Sequence, residues 1–423
     1  MLNSNKILLR NFSSLSIYQI SGYIFPLITF PYLLRILGAG NYGLMNFAAA
    51  FAAYFHILID FGFNFTAPRD ISINKDDKEK INGIFSVVLS LKIIFFVISV
   101  IIFSALVFSI PKFFIQKEIY LLSFIAVFGE MLFPAWFFFG MQAMHYISLI
   151  SVSIRAAAVI LIFLFIKQAD DLPLLIFING ISLVLTGAAG LYIAVSKFKL
   201  KYKFPGLTAL RFQFKDSLHL FISTVSINLY TSTNVLLLGF LAGDVYVGYY
   251  AAADKIRLAV TNLCYPVTQT IYPRLAELFN SSFTDGVNLL RKVLKSGGAV
   301  ILIACILIFI YADEIIYLAA GENYKASIPV LRIISFLPFI IFLSNLSGIQ
   351  TMLNLGYKEA FMKIIIAAAA ISLVLSIFLV PVYKHIGTSI TLLITELFVT
   401  SAAVAFVVNL MRSKMIKKLI SEQ

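Results

Sequence analysis

The sequence predicts an all-α integral membrane protein of about twelve transmembrane helices, arranged as two six-helix bundles related by a parallel internal repeat. Three observations carry this. Of 423 residues, 61% are hydrophobic and 13% charged, against about 25% charged in soluble domains. Mean hydropathy is +0.95, and apolar runs of about 20 residues, the length that crosses a bilayer, recur from end to end. The most basic connection, residues 197–215, falls near the midpoint. It divides the chain into expected bundles of residues 1–208 and 209–423. The longest polar connections, 68–82, 197–215 and 276–296, are too short to fold as soluble domains.

The expected spans are 13–37, 42–66, 84–109, 119–141, 147–167, 172–196, 216–241, 245–272, 296–318, 327–354, 360–381 and 387–411. The first is too long for a signal-peptide core and leads directly into the second, so it is expected to be retained. Pro26 and Pro31 interrupt it, each removing a backbone hydrogen bond, which frees the carbonyls of Gly22 and Leu27. In lipid those carbonyls need other partners, so the span reads as a broken, cavity-lining helix. Asn11, Ser14, Tyr18, Ser21, Thr29 and Tyr32 form a polar stripe along it. It ends in Arg35 and a glycine turn, Gly38 to Gly43.

The second span carries His56, Asp60 and Asn64 at four-residue steps, a face that either relays protons or only stabilises packing. Lys92, near the start of the third span, is expected to snorkel. Glu130 and Arg155 on the fourth and fifth suit an ion pair. The seventh is the most polar, with nine polar residues among the twelve from 223 to 234 and a stripe of Ser217, Thr224, Asn228 and Thr231. That density favours a wet face over simple helix–helix hydrogen bonding. On the eighth, Tyr246, Tyr250, Asp254, Arg257 and Thr261 share a stripe, with Lys255 beside it. Asp254 neutralises one of its two cationic neighbours, which leaves positive charge at Arg257 or Lys255. The tenth span holds Arg332 with Pro329 and Pro338, and the twelfth holds Glu396. A charge at a helix centre costs roughly 2.5–3.5 kcal/mol on insertion scales, so these side chains face a cavity or one another.

Lysine and arginine bias sets orientation. With the N-terminus inside, 22 fall in cytoplasmic segments and six in the opposite ones, which places both termini in the cytoplasm. The net charge of +13 belongs to those segments, and nucleic acid is not an expected partner. Cys264 and Cys305 lie inside spans and form no disulfide framework. The turn Ala39-Gly40-Asn41-Tyr42-Gly43 is echoed by Ala242-Gly243-Asp244-Val245-Tyr246-Val247-Gly248, each joining the first span of a half to its second. Residues 38–43 match GxGxxG literally, but between membrane helices and without a strand they bind no dinucleotide. No phosphate loop, HExxH or CxxC occurs, so no cofactor and no metal are expected.

Several segments resemble polysaccharide-unit flippases, the O-antigen type of lipid-linked oligosaccharide translocase in the multidrug/oligosaccharidyl-lipid/polysaccharide exporter superfamily. They are Phe30-Pro31-Tyr32-Leu33-Leu34-Arg35-Ile36-Leu37-Gly38 with Tyr42-Gly43-Leu44, then Asp60-Phe61-Gly62-Phe63. In the second half they are residues 247–256, VGYYAAADKI, and 271–275, IYPRL. The resemblance implies a cationic cavity alternating between the faces of the bacterial inner membrane. Its substrate would be an undecaprenyl-diphosphate-linked oligosaccharide, moved from the cytoplasmic to the periplasmic leaflet. Arg35, Arg155, Lys255, Arg257 and Arg332 are then candidates for the diphosphate, and Asn228, Thr231, Tyr246 and Tyr250 for the sugars. His56, Asp60, Asp254 and Glu396 are ion-coupling candidates. Expected partners are the lipid-linked substrate, membrane lipids, a polysaccharide polymerase and chain-length proteins. The alternatives are a multidrug exporter of the same superfamily and a membrane polymerase or glycosyltransferase; short outer loops weigh against the enzyme.

Overall fold

The computed structural model describes the backbone of residues 2–231, 233–263 and 265–421; within these, the side chains of 2–9, 12, 223, 226, 227, 229–231, 263, 265–267, 269, 270, 280 and 413–421 are not described. Helix dominates, with no strand among the described residues. Among the described residues, eight helices are long and apolar enough to cross a membrane. Two of them, Ser13–Ile73 and Lys358–Arg412, run 61 and 55 residues, well over twice one crossing. The first breaks at Gly38 (φ 70°, ψ 172°) and again at Phe61–Gly62 (φ 43° and 81°), and the second at Lys384 (φ 52°, ψ −126°). Two further expected spans, 216–241 and 245–272, fall on helices Leu207–Thr231, Thr233–Leu241, Asp244–Leu263 and Tyr265–Ser281. The architecture is compatible with twelve crossings.

Contacts divide the chain into two compact units. The first comprises Met1–Leu37 and Met45–Val225; the second comprises Gly38–Leu44 and Ser226–Gln423.

In the first unit, α1 (Leu2–Asp60) stays helical through Pro26 and Pro31, so the expected break at the prolines does not occur. A proline removes one hydrogen bond but keeps helical φ. The Thr29 hydroxyl donates to the carbonyls of Phe25 and Pro26 at 3.3 and 3.2 Å, in the turn the prolines weaken. The chain turns instead at Gly38, whose positive φ a β-carbon would disfavour.

After α2 (Phe63–Ile73), Asp77 caps α3 (Lys78–Ser109) by accepting from the Lys80 amide at 3.1 Å. A short α4 (Pro111–Ile115) leads to α5 (Lys117–Leu132), which stops where Phe133 turns extended before Pro134. Next come α6 (Ala135–Gly140), α7 (Met144–Phe165) and α8 (Leu172–Phe198). Helices α5 and α8 cross on glycine, since a β-carbon on Gly187 would lie 2.3 Å from the Gly129 carbonyl oxygen. Phe51, Phe55, Phe103, Phe113, Tyr120 and Phe124 fill the unit's interior with neighbouring ring centroids 4.2–6.1 Å apart. The N-terminal part of α9 (Leu207–Thr231) completes this unit.

The second unit holds α10 (Thr233–Leu241), α11 (Asp244–Leu263), α12 (Tyr265–Ser281), α13 (Phe283–Ile310) and α14 (Ala312–Ala320). The expected tenth span is divided into α15 (Ser327–Ile334), α16 (Leu337–Ser347) and a π-helical turn, Gly348–Leu353. The last element is α17 (Lys358–Ser421). Buried Asn234 ties α10 to α17 by accepting from Ser372 and Ser376, one turn apart, at 3.1 and 3.0 Å.

Candidate functional site

The first unit assembles ionisable side chains around a cavity of about 260 Å³ lined by Ala49, Ala53, His56, Ser123, Glu130 and Asn179, among others. Imidazole and carboxylate meet directly: His56 Nε2 lies 3.2 Å from Glu130 Oε1. The sequence reading paired His56 with Asp60. In the fold, the Asp60 carboxylate accepts from Asn64 at 2.6 Å, one turn further along. Crossing helices, and not intrahelical spacing, choose the partner of His56.

Lys92 does not snorkel. It is buried to 4% exposure, and its ammonium donates to the carbonyls of Glu130 and Phe133 at 2.9 and 3.4 Å. Those carbonyls end α5 ahead of Pro134 and have lost their helical donors. His56, Asp60, Lys92 and Glu130 lie within electrostatic reach of one another.

Arg155 does not form the expected ion pair with Glu130. Its guanidinium lies over the Tyr18 ring at 4.9 Å, in a small cleft lined by Glu130, Ser151 and Thr186 that shares Glu130 and Leu183 with the His56 cavity. Its Nη1 is buried and, among the described residues, has no hydrogen-bond acceptor. Gly22 makes room for it, because a β-carbon there would stand 3.3 Å from Nη1. Arg35 is exposed, one turn before Gly38.

With His56 neutral, two cations (Lys92 and Arg155) balance two carboxylates (Asp60 and Glu130). One more proton on the His56–Glu130 pair therefore changes the charge of an interior site by a full unit. That arrangement suits charge-linked switching.

In the second unit, α11 carries Asp254, Lys255 and Arg257. Arg257 is buried, and its Nε donates to Asp254 Oδ1 at 2.7 Å. Glu396 on α17 is buried within electrostatic reach of Arg257, as is the buried phenol of Tyr250. Lys255 is half-buried. Tyr246 accepts from Lys384 Nζ at 2.6 Å and stacks on His385 at 5.3 Å. The Lys384–His385 break falls in the connection expected between the spans 360–381 and 387–411. Asn228 is half-buried, and the Thr231 side chain lies outside those described. Arg332, on α15, is exposed and forms an ion pair with Asp313.

Long apolar helices that keep ionisable groups beside interior cavities define a membrane transporter, not an enzyme. The chain belongs to the polysaccharide biosynthesis protein family, which it matches over residues 8–279. A protein of Escherichia coli (strain K12) named as an O-antigen transporter is 37% identical over 414 residues, covering 96% of this chain and 99% of the relative. A Shigella dysenteriae protein of the same name is 25% identical over 397 residues, with 92% and 97% covered. The fold resembles that of the lipid II flippase MurJ in an inward closed conformation, with TM-score 0.72, 14% identity and coverage of 94% and 87%. An inward-facing multidrug transporter of the MATE family, in the MOP superfamily, aligns with TM-score 0.62, 15% identity and coverage of 94% and 99%.

Proposed function

We propose that this protein flips undecaprenyl-diphosphate-linked oligosaccharide repeat units from the cytoplasmic to the periplasmic leaflet of the bacterial inner membrane by alternating access. The observation that carries this reading is Arg155. A buried guanidinium N–H with no acceptor among the described residues, at the edge of a cleft, offers the charge-assisted donor that a diphosphate oxygen takes. The names of the related O-antigen transporters support this substrate class. Lys255 and Arg257 supply further positive charge, with Arg35 nearer a helix end; hydroxyl and amide groups at Tyr246, Tyr250, Asn228 and Thr231 suit sugars. Both termini lie in the cytoplasm on this reading, and a polymerase and chain-length proteins receive the product.

Two sources of drive fit the chemistry. An inside-negative potential favours outward passage of two phosphate charges by about 4.6 kcal/mol per 100 mV if the full potential is crossed. Proton binding at His56–Glu130 adds a coupling step, with Asp60, Asp254 and Glu396 as other ionisable candidates.

The test is a deletion strain assayed for lipid-linked repeat units held in the cytoplasmic leaflet. Wild-type protein should clear them. Arg155→Ala and Arg257→Ala, present at wild-type abundance, should leave them accumulated. Normal surface polysaccharide from both variants would remove the cationic-site proposal.

A further inference from the structure

The connection from α8 to α9 is more than a linker. Residues 197–215 carry six cations, Lys197, Lys199, Lys201, Lys203, Arg211 and Lys215, and no acidic residue. The opening KFKLKYK alternates lysine with apolar residues, and beyond Lys199 the chain is non-helical up to α9. An extended chain sends alternate side chains to opposite sides. Phe198, the last residue of α8, joins Phe137 at 5.1 Å; in the extended part Leu200 is buried, and Tyr202, though half-exposed, meets Ser90 through its hydroxyl at 2.8 Å. The four lysines stand outward, all exposed.

Hydrogen bonds fix this strap to α3 at one-turn intervals. The Lys201 amide donates to Asn82 and the Lys203 amide to Ser86, both at 3.0 Å, ahead of the Ser90–Tyr202 bond. Past the strap, Phe204, Leu207 and Phe212 are 86%, 82% and 69% exposed. Phe204 and Phe212 join Lys80, Lys203, Ile84 and Val87 in lining a cavity of about 750 Å³. Asp70 also lines it, but Asp70 is paired with Arg69 at 2.8 Å. Lys203 and Lys80 touch Glu79 and Asp77 at 3.2 and 3.6 Å in exposed pairs. Such pairs are weak and yield readily to a phosphate.

We propose that this strap and cavity bind the headgroup of an anionic phospholipid. The phosphate would sit against Lys80 and Lys203, the outer lysines would face the charged leaflet, and the exposed rings would enter the acyl boundary. Charge complementarity selects this occupant: a row of ammonium groups beside bare aromatic surface matches an anionic membrane face. The inference does not depend on which lipid-linked substrate is carried.

The experiment uses the full chain in nanodiscs, read by thermal unfolding as phosphatidylglycerol replaces phosphatidylcholine. Wild-type protein should be stabilised in a salt-sensitive manner. The joint change Lys197→Gln, Lys199→Gln, Lys201→Gln and Lys203→Gln should weaken apparent lipid affinity tenfold or more. Joint Arg291→Gln, Lys292→Gln and Lys295→Gln, in a different basic segment, should leave the response intact. Phe204→Ser with Phe212→Ser alters only exposed rings and should reduce phosphatidylglycerol retained in native mass spectrometry. An unchanged response in the four-lysine variant overturns the proposal, as does equal stabilisation by inorganic phosphate.

Discussion

Gly43 and Asp244 meet backbone to backbone: a β-carbon on Gly43 would lie 1.7 Å from the Asp244 carbonyl oxygen. The contact is reciprocal, because one on Gly248 would lie 2.0 Å from the Ala39 carbonyl oxygen. Each of these glycines follows a positive-φ glycine by five positions, Gly38 (φ 70°) and Gly243 (φ 101°). One displacement along the sequence, from 38 to 243, also relates 39 to 244 and 43 to 248. The two turns therefore clasp each other symmetrically, and both belong to the second unit.

The clasp predicts a graded glycine series. Gly43→Ala and Gly248→Ala set a methyl against backbone that no rotamer can move aside, so each should destabilise by about 3 kcal/mol, the upper end for overpacking. Gly40 is the internal control, with only Val245 Cγ2 nearby at 3.8 Å. Gly40→Ala should be neutral, or stabilising by about 0.5–1 kcal/mol from helix propensity. Thermal unfolding in detergent measures all three. Equal behaviour across the series would refute the clasp.

How much of this was legible follows the range of the interactions. The echo around residues 39–43 and 242–248 was visible because it is local. Its register was not: the sequence aligned Ala39-Gly40 with Ala242-Gly243, whereas the fold pairs Gly38 with Gly243. The criterion is φ, which composition does not report. The spans were readable because lipid imposes length and apolarity. The partner of His56 was not, since helical periodicity knows only residues 60 and 64 on its own helix, while Glu130 arrives on a separate helix, α5. The connection at residues 382–386 was readable, but not that Lys384, with Gly387 three residues on, takes the positive φ.

The His56–Glu130 contact should appear as thermodynamic coupling. In a double-mutant cycle on substrate-dependent proton flux in liposomes, His56→Gln and Glu130→Gln should be strongly non-additive, since either change alone breaks the pair. His56→Gln with Asp60→Asn should be closer to additive, because Asp60 holds Asn64. Additivity in the first cycle, or unchanged flux in Glu130→Gln, would rule out the pair as the coupling element.

Gly22 offers a test of Arg155 that leaves the arginine in place. A methyl at 22 would stand 3.3 Å from Nη1, closer than an ordinary contact, so the guanidinium must shift. Gly22→Ala should lower export severalfold while abundance holds. Arg155→Lys should rescue little, because an ammonium keeps the charge but loses the planar fork. Full activity in Gly22→Ala would show that the position of Arg155 is not critical.

Lys92 carries two duties that a pair of substitutions separates. Its ammonium supplies donors to the Glu130 and Phe133 carbonyls, and it is one of two cations balancing Asp60 and Glu130. Lys92→Met fills the space but leaves both carbonyls without that donor, a cost of about 1–3 kcal/mol for a buried unsatisfied group. It also leaves the two carboxylates with Arg155 alone, which favours holding a proton on the His56–Glu130 pair. The pH dependence of flux should therefore shift to higher pH along with the fall in melting temperature. Lys92→Met with Asp60→Asn removes one charge of each sign. The double variant should regain the wild-type pH profile and stay destabilised, since the carbonyls are still unmet. If the pH profile of Lys92→Met matches the wild type, Lys92 serves only to hold the end of α5.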